Sequence, residues 1–247
     1  MRTTRLFTEQ PLASGARVAL RGNAAQHLSR VLRARTGDTV TLFNGDGQEF
    51  AATISELGKQ AILLTLGEAS SPNTESAAHT VLGICLSKGD RFDWAVQKAT
   101  ELGVGSIVPL YSERVDFSIP ENRLLKRINH WQQVAISASE QCGRVKVPSV
   151  SKPVSLTEWV ETLSTAEKWV LHCTDVAGAA APLHAHSAPS DAALLIGPEG
   201  GLTIGEIATA IDHGFVPLQL GPRILRTETA PVVALTALSI RWGEIPR

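Results

Sequence analysis

Residues 192–196, an unbroken apolar run, lead directly into Gly197-Pro198-Glu199-Gly200-Gly201-Leu202-Thr203, and this junction constrains the chain more than any other. A short continuous apolar segment suits a strand covered on both faces. The helix after it carries its own start signal: Thr203 is an N-cap, Glu206 three residues on completes a capping box, and Gly214 supplies the stop. Between strand and helix, Gly197, Gly200 and Gly201 leave no side chain in the way, so backbone amides can approach a ligand closely. The same glycines also fit a tight strand-to-helix turn, and this loop alone does not choose between the two readings.

A second loop of the same kind lies a little further on. Residues 216–220 read as another short strand, followed by Gly221-Pro222-Arg223-Ile224-Leu225-Arg226-Thr227-Glu228-Thr229-Ala230 and an apolar helix over 231–240. Arg223, Arg226 and Glu228 between two apolar elements need solvent, partners or a substrate. In open α/β sheets, ligands sit beyond the carboxyl ends of the strands, where both loops fall.

The chain before these loops divides in two. Strands are expected over 18–21, 39–43, 49–54 and 60–66, with a helix from Asn23 to about Arg33 and a hairpin turn at Asn44-Gly45-Asp46-Gly47. Ala24, His27, Leu28, Val31 and Leu32 form the apolar stripe of that helix and leave Arg30 and Arg33 toward its polar side. Residues 1–68 therefore read as a compact β-rich domain. Residues 69–79 have the small, polar composition of a linker, and 80–247 alternate strand with helix, which implies a mostly parallel sheet. Its elements are strands at 81–86, 106–110 and 169–173 and helices at 91–102, 121–141 and 155–163, besides the two late strand–loop–helix units. No GxGxxG follows its first strand, where Ser87-Lys88-Gly89-Asp90 stands instead, and no P-loop occurs. A nucleotide-like ligand must then be held by the two late loops.

The net charge of −1 hides a segregation. Within residues 1–35 seven arginines (2, 5, 17, 21, 30, 33 and 35) face Glu9 alone, a local +6. Arginine favours bidentate phosphate contacts and stacking on bases, so this segment reads either as a polyanion footprint or as a solvated basic face. The three cysteines, Cys85, Cys142 and Cys173, are widely spaced without CxxC pairing. They argue against a disulfide framework and a zinc site alike, and His184 with His186 is too little for a metal. No apolar run of membrane-spanning length and no signal-peptide pattern is present, which points to the cytoplasm.

Lys88-Gly89-Asp90 with the run 94–103, Glu140-Gln141-Cys142-Gly143-Arg144, Ile196 with Gly197-Pro198-Glu199-Gly200-Gly201, and the segment 220–230 together resemble the RsmE family of ribosomal RNA methyltransferases. The likeness spans nearly the whole chain. It implies a SPOUT-type α/β fold, a trefoil-knotted parallel sheet with helices on both faces, and an N-terminal PUA-like β-barrel. It also implies S-adenosylmethionine as cofactor, N3 of a uridine in 16S ribosomal RNA or the assembled small subunit as substrate, and a homodimer without metal.

By the same resemblance Leu171, Ile196, Gly197, Gly201, Leu218, Leu220, Gly221, Ile224, Leu225, Thr229 and Ala230 hold the cofactor. On chemical grounds Arg223 and Arg226 are the candidates for holding phosphate and stabilising charge on the base, Glu228 for accepting its proton or orienting an arginine, and Arg5, Arg30, Arg33 and Lys88 for docking RNA. Glu140 and Arg144 are expected to form a structural ion pair. Cys142 stands where a smaller polar residue is expected. Two other classes stay open on the residues alone: a phosphate-binding or nucleotide-transforming enzyme whose glycine loop takes an anion, and a non-catalytic RNA-binding protein.

Overall fold

The computed structural model describes residues 4–26, 28–29, 34–172 and 188–245. His27, Arg30, Val31, Leu32, Arg33, Cys173, His184 and His186 lie outside them. The chain splits into two compact units, one formed by 1–75 with 139–147 and the other by 76–138 with 148–247.

The first unit is built on β1 (Arg5–Phe7), β2 (Arg17–Leu20), β3 (Thr39–Phe43), β4 (Glu49–Leu57) and β5 (Ile62–Ser70), with the short helix α1 (Gly22–Gln26). The strand order is β1-β3-β4-β5-β2, antiparallel except for the parallel pair β1 with β3. Period-two alternation decides which face is inside. Val40, Leu42, Phe50, Ala52, Ile54, Leu64 and Leu66 all point to one core, which Val18, Leu20 and Leu28 complete. The register places Leu42 opposite Phe50 and Ile54 opposite Leu64, so apolar side chains meet across strands. Two register shifts between β4 and β5 bend the sheet around this core. Where the sequence implied a barrel, the sheet is a curled half-barrel: β1 and β2 end the path, and no pairing joins them among the described residues.

Residues 69 and 70, read as linker, continue β5. Residues 139–147 join this unit although the linear order places them within the second domain. Hydrogen bonds explain it: the Phe7 amide donates to Glu140 Oε1 at 2.9 Å, and the amides of Val145 and Lys146 both donate to Glu75 Oε1 at 3.0 Å.

The second unit is a parallel sheet. In chain order its elements are β6 (His79–Cys85), α2 (Arg91–Glu101), β7 (Ser106–Tyr111), α3 (Glu121–Cys142, whose residues from 139 on belong to the first unit), β8 (Ser149–Val150), β9 (Val154–Ser155), α4 (Leu156–Thr162), β10 (Glu167–Leu171), β11 (Asp191–Ile196), α5 (Ile204–Asp212), β12 (Val216–Leu218) and α6 (Thr229–Arg241). The spatial order is β12-β10-β11-β6-β7-β8, with β9 also on β7, and every pairing is parallel. All carboxyl ends therefore open on one edge. From β6 the chain progresses outward through β7, whereas β10, β11 and β12 lie on its other side. That reversal makes the boundary between β6 and β11 a topological switch point.

Both faces of β11 are covered, as its unbroken apolar run requires: Ala192 through Ile196 are all buried. Ala193 and Leu195 pack with Trp159, Val160, Ile207 and Phe215 of the α4–α5 side. On the opposite face Leu82 and Leu194 are equally buried, while α2 and α6 pack on each other. Gly83 sits in the middle of β6 because a Cβ there would stand 2.5 Å from the Trp159 ring. Changing Gly83 to alanine is expected to cost about 1–3 kcal/mol through overpacking against a rigid indole, read as a lowered midpoint of chemical denaturation. An unchanged midpoint would show that the ring can move aside.

Candidate active site

Three neighbouring strand ends found the site. Leu171 pairs with Leu218, and Val170 pairs with Leu195, which places Ile196 one step on beside Leu171. From these ends the chain enters its two irregular loops, 197–203 after β11 and 219–228 after β12. The fold thus brings Leu171, Ile196, Gly197, Gly201, Leu218, Leu220, Gly221, Ile224 and Leu225 to one edge, with Thr229 and Ala230 in the first turn of α6.

The first loop is shaped by glycine geometry and by the cap of α5. A Cβ on Gly197 would come 2.9 Å from Leu202 Cγ, and Gly201 has a φ of 70°, a conformation side chains disfavour. The Gly201 amide donates to Pro198 O at 2.8 Å. The capping box expected from sequence is present: the Glu206 amide donates to Thr203 Oγ1 at 3.2 Å and the Thr203 amide to Glu206 Oε2 at 2.8 Å.

The second loop leaves its main chain open. Among the described residues, 221–225 make no backbone-to-backbone hydrogen bond. Order returns at residue 226, whose carbonyl accepts from the amides of Thr229 and Ala230 at 2.9 and 3.0 Å. Arg223 is exposed, the Arg226 side chain is 82% exposed, and Ile224 is 84% exposed. Glu228 is different: its side chain is 14% exposed, 4.0 Å from the Arg226 guanidinium, and its Oε2 is buried without a hydrogen-bond partner. A buried carboxylate oxygen is costly to leave unsatisfied, and a proton, a water molecule or a ligand can supply its partner.

Residues that sequence reasoning missed flank the first loop. Arg91 pairs with Glu199 at 2.8 Å, Arg114 donates to Gly200 O at 2.6 Å, and Thr203 Oγ1 donates to Glu113 Oε1 at 3.3 Å. Their signal was available. Glu113 and Arg114 stand just past the carboxyl end of β7 and Arg91 opens α2 after β6, and charged residues on the carboxyl side of parallel strands are site candidates. His172, next to Leu171, is held below its ordinary pKa by burial. Burial likewise pushes the Cys85 thiol up to about 12, so it is a packing group rather than a nucleophile.

The other candidates fall elsewhere. Lys88 is exposed, pairs with Asp116 at 2.7 Å and thereby lowers the pKa of that carboxyl. Arg5 forms an ion pair with Glu49, donates to Arg144 O at 2.9 Å and lies over the Phe43 ring, with a side chain 12% exposed. It braces the first unit instead of facing outward. No group of three or more potential metal ligands occurs among the described residues. No described helix is long and apolar enough to cross a membrane.

The chain combines an all-parallel α/β unit, whose two late loops lie at one edge, with a separate β unit, and the family models that match it put it in the class of RNA methyltransferases. The family model described as an RNA methyltransferase domain matches residues 74–239, and the RNA methyltransferase PUA domain matches 20–67. The ribosomal RNA small subunit methyltransferase E of Buchnera aphidicola subsp. Schizaphis graminum is 32% identical, covering 99% of this chain and 98% of the relative. That of Bacillus subtilis is 30% identical over 94% and 93%. Among solved structures, a Legionella pneumophila methyltransferase in complex with the cofactor SAM superposes with a TM-score of 0.90 at 37% identity, covering 97% of this chain and 98% of that one. The Neisseria gonorrhoeae ribosomal RNA small subunit methyltransferase E bound to S-adenosyl methionine gives 0.87 at 34% identity, covering 98% of each. The chain belongs to the ribosomal RNA small subunit methyltransferase E family.

Proposed function

We propose that this chain transfers a methyl group from S-adenosylmethionine to N3 of a uridine in 16S ribosomal RNA, acting in the cytoplasm as a homodimer. The solved relatives that bind the same cofactor support it, as do the names of the full-length relatives. The observation that carries the chemistry is the buried, unpartnered Glu228 Oε2 beside an exposed arginine.

The residues present fit the cofactor. Unpaired main-chain groups over 221–225 offer hydrogen bonds to its polar atoms, and the exposed Ile224 and half-buried Leu225 offer an apolar wall. When bound, S-adenosylmethionine supplies an electrophilic methyl on a sulfonium, to which a nitrogen lone pair bonds as the carbon–sulfur bond breaks. Uridine N3 has such a lone pair only after losing its proton. In this proposal Glu228 accepts that proton, directly or through water, and Arg223 and Arg226 stabilise the negative charge left on the ring. The crossing of β12 to the far side of β10 agrees with a trefoil knot, in which the two late loops thread past each other.

The first unit is proposed to dock the RNA, with the expected domain 1–68 as its body. Arg30 and Arg33 of this unit are assigned to phosphates, as is Lys88 of the second unit, whose pairing with Asp116 is exposed, while Arg5 is left out because its pair is mostly buried. Affinity for small-subunit RNA should fall linearly in log–log form with salt. Replacing Arg30 and Arg33 together by alanine should lower that slope by about 2. An unchanged slope would remove them from the interface.

The activity is tested by mass-spectrometric mapping of 16S ribosomal RNA from cells lacking the protein. One N3-methyluridine should disappear and return on restoring the wild-type chain. Unaltered modification in the absence of the protein overturns the proposal.

A further inference from the structure

We propose that Arg114, supported by Glu113 and Arg91, is a positioning residue for the glycine-rich loop and thereby for the methyl donor; the inference rests on the methyl-transfer reading above. Loop 197–203 has little internal bonding of its own, chiefly the Gly201 amide on Pro198 O and the cap at Thr203. Its remaining attachments come from the exits of two other strands.

From the exit of β7, Arg114 Nη1 donates to Gly200 O at 2.6 Å, and its stem lies against the same glycine, with Cδ 3.4 Å from where a Cβ would stand. The preceding residue makes two more links: the Glu113 amide donates to Glu206 Oε1 at 2.9 Å, and Glu113 Oε1 accepts from Thr203 Oγ1 at 3.3 Å. Glu206 is buried, and its carboxylate is shared between the cap of α5 and the exit of β7. From the exit of β6, Arg91 reaches Glu199 at 2.8 Å.

These links are unequal. Both members of the Arg91–Glu199 pair are nearly half exposed, so its contribution is small. The Arg114 contact is exposed too, but it is a charge-assisted bond to a main-chain carbonyl and so holds the backbone of the loop itself rather than the end of a side chain. Because β6 lies between β11 and β7 in the sheet, the loop is held from a strand two places away. Among the described residues no hydrogen bond or ion pair joins Arg114 to Arg223, Arg226 or Glu228, so its proposed effect is on donor binding rather than on proton or charge transfer.

The test compares the full-length wild type with Arg114→Ala and Arg114→Lys. Amide exchange at Gly201 and Thr203 without ligand should quicken in Arg114→Ala. The dissociation constant for S-adenosylmethionine, by calorimetry, should rise about tenfold, and kcat at saturating donor should stay within about threefold, the signature of lost ground-state binding. Arg114→Lys should recover part of the affinity, since one nitrogen donor is used. Unchanged exchange at 200–203 overturns the proposal, as does faster exchange with unchanged donor affinity. If the wild type takes up no S-adenosylmethionine, the methyl-transfer reading fails and with it the donor arm. The exchange comparison then decides separately whether Arg114 positions the loop.

Discussion

Replacement of Arg226 by alanine should reduce methyl transfer by about 10²–10³ in kcat while leaving uptake of S-adenosylmethionine within a few-fold, the size seen when one preorganised donor to a developing charge is removed. The geometry separates the two effects. The Arg226 side chain is largely exposed and contributes nothing to the core, whereas its carbonyl closes the first turn of α6. Alanine keeps that carbonyl, so the loop and the helix start survive. Single-turnover transfer into small-subunit RNA, beside calorimetry with the donor, measures both quantities. Normal turnover in the variant would remove Arg226 from the chemistry. A Glu228→Gln variant keeps the shape of the site and removes the proton acceptor, so a comparable loss there would support the pairing of roles.

A second large effect belongs to the first unit. Arg144 is only 5% exposed, and its Nε and Nη2 donate to Glu75 Oε2 at 3.0 and 2.7 Å. The other carboxylate oxygen of Glu75 receives the amides of Val145 and Lys146. Arg144→Ala would leave that mostly buried carboxylate without its counter-charge, a change that typically costs about 3–5 kcal/mol. The expected result is a marked fall in the urea midpoint. Glu75→Gln should be milder, because its amide oxygen can still accept hydrogen bonds while no naked charge is created. Equal midpoints for wild type and Arg144→Ala would show the pair to be solvated and dispensable.

The parts of the fold that follow from local chemistry were legible. The capping box at Thr203 and Glu206, the N-cap at Ser155 and the hairpin joining β3 to β4 all stand where side-chain chemistry placed them. The run 192–196 lies within a doubly covered strand for the same reason, since only burial on both faces accepts five apolar residues in succession. Short elements escaped. β1 has three residues with one buried leucine, and β8 and β9 have two each, too few for a period to declare itself.

Charge counting does not reveal that one of the early arginines is already paired within the fold. Arg5 is consumed by Glu49 and Phe43, partners 44 and 38 positions along the chain. No sequence window joins residues so far apart. Arg144 with Glu75 is a similar case, and it is why 139–147 belongs to the first unit.

The two late motifs and their turn chemistry are properties of short contiguous segments, and the sequence by itself determined them. The tertiary structure decided that β12 lies beyond β10, that the exits of β6 and β7 clamp the glycine-rich loop through Arg91, Glu113 and Arg114, and that Glu228 keeps one oxygen buried and unpaired. The physical reason is range. Caps, turns and strand periodicity are settled within a few residues, whereas hydrogen bonds between loops and the desolvation of a carboxylate depend on which strands the sheet places side by side.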